Sequence, residues 1–586
     1  MRLADLEDIY ELTPMQQGMM FHTLLAPESG QYFEQLVCDL EGQLDVEAFR
    51  RAWECAVRNH SIFRTSFVTD GSGKPVQVVH REVALPFELS DWRSLPPKQR
   101  QSREAEFLLM DRERGFELAR PPLMRLSLFR LEENLHRFIW SRHHLLTDAW
   151  SRSLVFDEVF SAYEAFRAGL DFHPPARRPY GDYIAWLQEQ DLAKAERYWR
   201  RLFEGFEGPS ALEIGPAPES PRISEDIYFQ ESLRIPAPLT AKLRAIARQQ
   251  NLTFNTFVQG AWGLLLGRYS DRDDVVFGAT VAGRPPDLEG VESMIGLFVN
   301  TLPIRVRMPA DAGVAGWLNE LQGQQAELRE YEYSPLVEIQ RWSGIPPGRP
   351  LFDTLLVFEN APRVDASTAG ERSLRVRNTK GYGSRTNYPL SLLVDVGAEI
   401  DLLAVADSRL YDRGAIQRLL GHLRTVMEAM ASRPDIRIED LPLLTEAEQR
   451  QVLVEWNETA AEYPRDQTIH RMFEAQVEKS PERAALFFEN GQWTFRELNG
   501  RANQLARFLK KREIGRGDLV GISVERSPEM VCALLAALKT GAAYLPLDPA
   551  YPKERLAFIL RDSGARVAIV GGGARDRLPA GVTELV

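Results

Sequence analysis

Helix-like and strand-like hydrophobic patterns alternate along the whole of this sequence. Residues 45–59 form an amphipathic helical pattern, and the SIFRTSFVT stretch that follows is strand-like in its β-branched and aromatic content. About 200 residues later a buried-helix pattern at 252–270 again precedes a strand pattern, at 274–283. The alternation predicts an α/β fold. Its recurrence predicts two related lobes.

Composition excludes several classes of protein. The chain has 586 residues, a charged fraction of 26% and a net charge of −12 without a basic block, so a nucleic-acid or anionic-membrane partner is not expected. No apolar run approaches the ~20 residues that cross a bilayer. Cys38, Cys55 and Cys532 are far apart, which argues against a disulfide framework or a zinc knuckle. We therefore expect a cytoplasmic protein.

Clusters of proline and glycine indicate where the chain divides. The stretch 171–183 is a candidate junction between lobes, 204–222 is a long loop, and a polar connector follows a short helix that begins near residue 444. The expected domains are a first lobe at 1–175, a second lobe at 176–440, a linker at 441–465 and a further α/β unit at 466–586.

Two adjacent histidines lie where a strand pattern changes into a helix pattern. The strand-like HRFIWSRHHLL ends in His143 and His144, and apolar residues recur at helical spacing from Asp148 to Gly169. In α/β proteins this kind of position often carries the chemistry.

Three functions for the pair are possible. Asp148 could simply cap the helix while the histidines belong to the core. A metal site would need further ligands, and adjacent strand residues point to opposite faces, so we expect no metal. In the third, one histidine faces a cavity as a general base and the other faces the core, because neutral imidazole suits proton abstraction near pH 7.

The sequence resembles the condensation domains of nonribosomal peptide synthetases. HHLLTDAW is similar to the family signature HHxxxDG, and cyclization domains, which carry aspartate in place of the first histidine, are not matched. The details resemble the subtype that joins two L-configured residues. Six further motifs occur in the family's order: ELTPMQQGMMFHTL, RNHSIFRTSF, YGDYIAW, MIGLFVNTLPIR, YEYSPLVEIQ and PLFDTLLVFEN.

The last part of the chain resembles the beginning of an adenylation domain. WTFRELNGRANQLARFL at 493–509 and LKTGAAYLPLDPAYPKERLAFIL at 538–560 are similar to its opening motifs. The Gly-rich VGGGARDR at 570–577 lacks the Ser/Thr and Lys of a phosphate-binding loop and is interpreted as a loop. We expect a piece of a longer polypeptide that does not activate amino acids by itself, since ATP and Mg²⁺ belong to a complete adenylation domain.

The resemblance implies an overall architecture and partners. It implies two chloramphenicol-acetyltransferase-like lobes in a V-shaped pseudo-dimer, with a tunnel between them, followed by a fragment of an adenylate-forming enzyme's large subdomain. Donor and acceptor carrier proteins would present thioesters on phosphopantetheine arms, and the acceptor amine would attack the donor thioester. The chain would bind no cofactor of its own, would work beside the rest of its module and is expected to be a monomer.

The resemblance also implies roles for the motif residues. His144 would act on the acceptor amine, either as the base or as a hydrogen-bonding positioner. His143 would be its structural partner, and Asp148 would pair with Arg64 or with Arg58.

Ala149 departs from the signature, which has glycine at this position. Glycine there would serve either a positive φ or room for the acceptor arm. Further residues are expected as candidates to line the tunnel: Trp150, Asn300, Thr301, Tyr333 and Ser334.

Two alternatives to a condensing enzyme remain open. One is a free-standing acyltransferase that uses the HxxxD pattern with CoA or an alcohol acceptor, against which the adenylation-like sequence argues. The other is a non-catalytic module that docks carrier proteins or recruits enzymes. Such modules typically lose the second histidine, and His144 is present.

Overall fold

A computed structural model of the protein describes residues 5–209, 212, 214, 227–346, 348–359, 373–382, 386–571 and 577–585. The chain forms two compact units, Met1–Leu453 and Val454–Val586. Within the described ranges, no helix combines the length and the apolar character needed to span a bilayer.

The strands of the first unit are β1 (Leu6–Glu11), β2 (Phe33–Glu41), β3 (Thr65–Thr69), β4 (Pro75–His80), β5 (Phe87–Asp91), β6 (Met124–Glu132), β7 (Leu135–His143), β8 (Tyr228–Ile235), β9 (Asp274–Val281), β10 (Asn300–Arg307), β11 (Thr354–Glu359), β12 (Arg375–Tyr382), β13 (Leu390–Val396) and β14 (Ile400–Asp407).

Its helices are α1 (Pro14–Leu25), α2 (Val46–Asn59), α3 (Pro97–Arg114), α4 (Ala149–Arg167), α5 (Tyr180–Gln188), α6 (Leu192–Leu202), α7 (Ala237–Gln249), α8 (Phe254–Ser270), α9 (Val314–Leu328), α10 (Leu336–Trp342), α11 (Arg413–Ser432) and α12 (Glu446–Leu453). Helices α2 and α8 and strand β9 confirm the elements predicted at 45–59, 252–270 and 274–283.

Two large sheets form the centres of two lobes. The first has the order β12-β2-β7-β6-β5, and the second has the order β10-β9-β11-β13-β14-β8. Each sheet contributes to its own apolar core: Trp53 of α2 contacts Trp140 of β7 at 4.9 Å between ring centroids in the first, and Trp262 of α8 is fully buried in the second. The prediction of an α/β fold with two lobes is therefore confirmed.

Segments from beyond residue 175 contribute to the first lobe. Strand β12 pairs antiparallel with β2, and α5 buries Tyr180 and Tyr183 in the first core together with Phe298. A division at residue 175 therefore does not describe how the chain distributes its apolar contacts, because long-range pairing and burial, rather than sequence order, decide which lobe a segment stabilises.

The second unit is a small α/β fold of its own. Its helices are α13 (Ile469–Lys479), α14 (Phe495–Lys510), α15 (Pro528–Thr540) and α16 (Lys553–Ser563), and its strands are β15 (Ala484–Phe488), β16 (Gly491–Thr494), β17 (Leu519–Ser523), β18 (Ala543–Pro546), β19 (Val567–Val570) and β20 (Thr583–Leu585).

Within this unit, the strands β18-β17-β19-β20 form a parallel sheet, and β15 pairs with β16 as a hairpin. The Gly-rich stretch expected to be a loop begins after β19, but residues 572–576 lie outside the described part of the chain.

Helix α8 lies unusually close to its neighbours through a face of glycines. A Cβ at Gly263 would meet Val306 of β10 at 2.9 Å. At Gly267 it would lie 2.7 Å from the backbone oxygen of Arg272, which cannot rotate away as a side chain could. The absence of side chains on this face lets the helix approach the second sheet.

Replacing Gly267 with alanine should therefore destabilise the first unit by about 1–3 kcal/mol, because the added methyl group overlaps backbone. Gly316, inside α9, has open space around its Cβ position, so Gly316→Ala should stabilise by about 0.5–1 kcal/mol through helix propensity. Urea unfolding of both variants measures the difference. A Gly267→Ala protein as stable as Gly316→Ala would contradict this packing.

Candidate active site

The predicted strand-to-helix junction is present at the histidine pair. Strand β7 ends at His143, and α4 begins at Ala149 with Asp148 as its N-cap. The Asp148 carboxylate accepts a hydrogen bond from the backbone N–H of Ser151 at 2.7 Å, which satisfies one of the free donors at the helix start. Asp148 therefore fixes where the helix begins.

His143 belongs to the core. Its side chain is 2% exposed. Its Nδ1 accepts from the backbone N–H of Leu145 at 3.2 Å, so Nε2 carries the proton and donates to Thr23 Oγ1 at 3.2 Å. Burial, with a smaller contribution from His144, lowers the pKa of His143 to about 3, so the ring is neutral at physiological pH.

His144 has the opposite arrangement. Its backbone N–H donates to the carbonyl of Tyr32 at 2.7 Å, and its Nδ1 lies 3.1 Å from the carbonyl of Thr147. Because a carbonyl only accepts, Nδ1 carries the proton and Nε2 presents its lone pair. The side chain is 27% exposed, and Nε2 lies 3.7 Å from Glu34 Oε1, beyond hydrogen-bonding distance. Nε2 is therefore the atom available to a substrate.

The backbone beneath His144 is held in a strained conformation. Tyr32, whose carbonyl binds the His144 N–H, has a φ of 59°. A bulky residue in this left-handed region costs about 1–2 kcal/mol. The hydroxyl of Tyr32 donates to Asn387 Oδ1 at 3.1 Å, and this bond helps to hold the conformation.

Asp148 is paired with Arg284. Arg284 Nη2 lies 3.6 Å from Asp148 Oδ1, and both side chains are at most 4% exposed. The other carboxylate oxygen, Oδ2, accepts from the backbone N–H of Phe298 at 3.1 Å. Arg284 also donates to Ser151 Oγ at 2.9 Å and stacks on the Phe298 ring at 3.9 Å. One carboxylate therefore joins the start of α4 to the 296–298 segment.

The expected pairing of Asp148 with Arg64 is wrong. Arg64 directs its guanidinium to Glu7, at 2.5 Å, and to the carbonyl of His80. It precedes β3, so its side chain reaches the edge of the β1-β4-β3 sheet instead of α4. Arg58, the alternative, is exposed on α2.

Ala149 is the first residue of α4 and therefore has right-handed helical backbone. The explanation that glycine serves a positive φ here is wrong for this chain, and the explanation from space for the acceptor arm stays a prediction. Trp150, which follows, is half-buried and donates through Nε1 to the carbonyl of Glu292 at 2.9 Å.

The remaining candidate residues form a second group at the start of β10. Asn300 donates to the carbonyls of Glu332 and Ser334, at 2.8 and 2.9 Å, and accepts from the N–H of Thr301. Three of the group, Asn300, Thr301 and Ser334, are buried. These contacts give the three a structural role, and contact with a tunnel stays a prediction.

Tyr333, the fourth member of this group, is half-buried. Its hydroxyl donates to the carbonyl of Asp191 at 3.0 Å. This bond also ties the segment to the loop before α6, and a place in a tunnel stays a prediction for Tyr333 as well.

Two charged residues at the site were not found from the sequence. Arg284 follows strand β9 directly before two prolines, a position where a side chain leaves the sheet, but nothing in that pattern names Asp148 as its partner. Glu34 lies opposite Arg142 in the β2–β7 pair, more than 100 residues apart in sequence. Only the register of the sheet brings this pair together. Among the described residues, no group of three or more His, Cys, Asp or Glu side chains is arranged to hold a metal ion.

A two-lobed α/β unit with a partly exposed histidine at a strand–helix junction, its outer ring nitrogen unprotonated, defines a domain of the acyltransferase type. The profile of the condensation domain family matches residues 6–453. The chain therefore belongs to this family, whose members form peptide bonds in nonribosomal peptide synthetases. The AMP-binding enzyme family matches residues 473–585, which confirms that the start of a second domain follows.

Relatives of known name are large synthetases. The chain is 44% identical over 584 residues to a linear gramicidin synthase of Brevibacillus parabrevis, and 37% identical over 571 residues to bacitracin synthase 3 of Bacillus licheniformis. It aligns over 100% and 96% of its own length but spans only 11% and 9% of theirs.

Solved structures share the fold. A four-domain nonribosomal peptide synthetase bound to AMP and glycine superposes with a TM-score of 0.74 at 20% identity, over 99% of this chain and 44% of that one. The first condensation domain of the calcium-dependent antibiotic synthetase superposes with a TM-score of 0.63 at 18% identity, over 75% of this chain and 100% of that one.

Arg284→Met should destabilise the first unit by about 3–5 kcal/mol, because it leaves the buried Asp148 carboxylate without its cation. Arg234 is a matched control, since its ion pair with Asp401 at 2.6 Å is exposed. Arg234→Met should change stability by less than about 1 kcal/mol. Urea unfolding at pH 7 measures both, and equal small losses would contradict the role of the buried pair.

The low pKa of His143 predicts a loss of stability in acid. The folded pKa of about 3 lies below the ordinary 6.5. Between these values the unfolded chain binds a proton that the folded chain refuses, so stability falls as pH decreases from 6.5. His143 should contribute a loss of about 1.5 kcal/mol between pH 6.5 and 5.

Urea unfolding at pH 6.5 and 5 measures this loss, and His143→Gln, which cannot be protonated, should remove that share of the slope. An identical slope in wild type and variant would show that His143 is not held neutral by the fold.

Proposed function

We propose that this chain joins an acyl group carried as a thioester to the amine of an aminoacyl thioester, and that His144 receives the attacking amine. The observation that carries the proposal is the unprotonated Nε2 of His144, which is partly exposed at the junction of β7 and α4 while Nδ1 is fixed by a carbonyl. An unprotonated ring nitrogen is the group that accepts a hydrogen bond from an amine.

The reaction requires little bond-making chemistry from the protein. The acceptor nitrogen forms a C–N bond with the donor carbonyl carbon, the C–S bond breaks, and a proton passes from nitrogen to the departing sulfur. A thioester is already activated, so holding both reactants together supplies much of the rate. In this proposal, Nε2 accepts the N–H of the amine, and a bound proton can then move through the same atom.

The partners follow from the reaction. Donor and acceptor carrier proteins present the two thioesters on phosphopantetheine arms, and the rest of the synthetase module supplies them. Ala149 and Trp150, at the start of α4 and near His144 in sequence, are the candidates to contact the acceptor arm. The V-shaped arrangement of the lobes, the tunnel, a monomeric state and a cytoplasmic location remain predictions.

Neither alternative function is favoured. An AMP-binding domain begins after the condensation domain, as in the synthetase relatives, which argues against a free-standing acyltransferase. A non-catalytic docking module needs no histidine with an accessible, unprotonated nitrogen, and here the fold stabilises one with two backbone hydrogen bonds.

His144→Ala should lower the rate of amide formation about 100-fold or more, since an acid–base group of this type contributes ~10²–10⁴-fold. The control is His173→Ala, an exposed histidine of the 171–183 stretch, which should retain wild-type rate. Mass spectrometry detects dipeptidyl-carrier formed from pairs of aminoacyl-loaded carriers, with L- and D-configured donors, because the L-to-L subtype is a prediction.

No dipeptide with wild type for any pair, or undiminished dipeptide with His144→Ala, would overturn the proposal. Proteins that elute and melt like wild type qualify for the comparison.

A further inference from the structure

Glu34 is a half-buried carboxylate that the proposed reaction does not use. It lies on β2 opposite Arg142 of β7, and its side chain is 15% exposed. Arg142 Nη2 donates to Glu34 Oε2 at 2.5 Å. Arg142 itself is buried, and its Nε and Nη1 have no hydrogen-bond partner among the described residues. Arg142 therefore fixes one of the two oxygens of Glu34.

The other oxygen, Oε1, faces the reactive side of His144. The distance from Oε1 to Nε2 is 3.7 Å, which is too long for a direct hydrogen bond. It is short enough for one donor nitrogen to lie about 2.9 Å from both atoms. The two acceptors together form a site for a nitrogen that carries at least two hydrogens.

The charges around Glu34 keep it ionised. Burial alone would raise the pKa of this carboxyl, but four surrounding basic groups outweigh burial and hold the pKa below its ordinary value. These groups are His144, Arg142, Arg152 and His143, from β7, the junction after it and α4. Because His143 is neutral, the full charges beside Glu34 come from the two arginines, and Glu34 is a carboxylate at neutral pH.

We infer that Glu34 binds the acceptor amine: Oε1 accepts one N–H while Nε2 of His144 accepts another. This inference rests on the proposed role of His144. A free α-amino group has a pKa of ~7.7–8.0, so near pH 7 much of the acceptor arrives as an ammonium ion. The carboxylate pairs with that cation and holds it while one proton leaves through Nε2.

The steps balance without a further reactant. The ammonium loses one proton to Nε2 of His144 and becomes an amine, which forms the C–N bond as the C–S bond of the donor breaks. The second proton on nitrogen passes to the thiolate, and His144 returns its proton to solvent. Glu34 remains a carboxylate throughout and forms no covalent bond.

The matched test compares Glu34→Gln with Glu41→Gln. Glu41 ends the same strand and pairs with the exposed Arg377 at 3.1 Å, so it reports the effect of removing a carboxylate from β2. Initial rates are measured at several acceptor concentrations, at pH 7 and pH 9, with the aminoacyl-loaded carrier pair that wild type joins fastest.

At pH 7, Glu34→Gln should lower kcat/KM for the acceptor about 10- to 100-fold, the effect of one charge-assisted hydrogen bond. At pH 9 the amine is already neutral, so the deficit should shrink to a few-fold. Glu41→Gln should match wild type at both pH values.

A Glu34→Gln rate equal to that of Glu41→Gln would overturn the inference. A deficit that is the same at pH 7 and pH 9 would also overturn it, because a merely structural residue has no reason to depend on the ionisation of the amine. Loss of rate in Glu34→Gln with undiminished rate in His144→Ala would instead refute the proposed role of His144.

A second variant covers loss of folding. If Glu34→Gln leaves Arg142 too poorly paired to fold, Glu34→Asp keeps a carboxylate within reach of that arginine and withdraws it from Nε2 by about one bond length. Glu34→Asp should show the same pH-dependent deficit, and a wild-type pH profile in this variant would overturn the inference.

Discussion

The buried ion pair between Asp148 and Arg284 is the interaction on which the site depends. Asp148 uses both oxygens, since one caps α4 and the other accepts from the backbone of Phe298. Arg284 in turn binds Ser151 and stacks on the Phe298 ring. Two charges in the interior would be costly alone. Here the surrounding hydrogen bonds compensate that cost and fix the turn that follows His144.

The fixed turn gives two adjacent histidines different chemistry. His143 donates from Nε2 into the core and has a pKa of about 3 because of burial. His144 donates from Nδ1 to the carbonyl of Thr147, a residue of the turn that Asp148 closes, and leaves Nε2 towards Glu34. The strand pleat separates the two rings, and the backbone decides which nitrogen of each ring is protonated.

Local features of this site could be predicted from the sequence, and distant ones could not. The end of β7, the N-cap at Asp148 and the length of α4 follow from periodicity and capping, which depend on neighbouring residues. The partner of Asp148 was predicted wrongly as Arg64, because residue type and order do not give direction in space. Glu34, and the pairing of β12 with β2, depend on sheet register between distant strands.

The central claim is that the fold places the proton of His144 on Nδ1 and leaves Nε2 for the substrate amine. Nitrogen-15 spectra of protein labelled in its nine histidines, assigned for this residue by the signals lost in His144→Ala, test it directly. For the neutral ring, the account predicts a protonated Nδ1 and an unprotonated Nε2 in His144, with the reverse in His143. A proton on Nε2 of neutral His144 would contradict it.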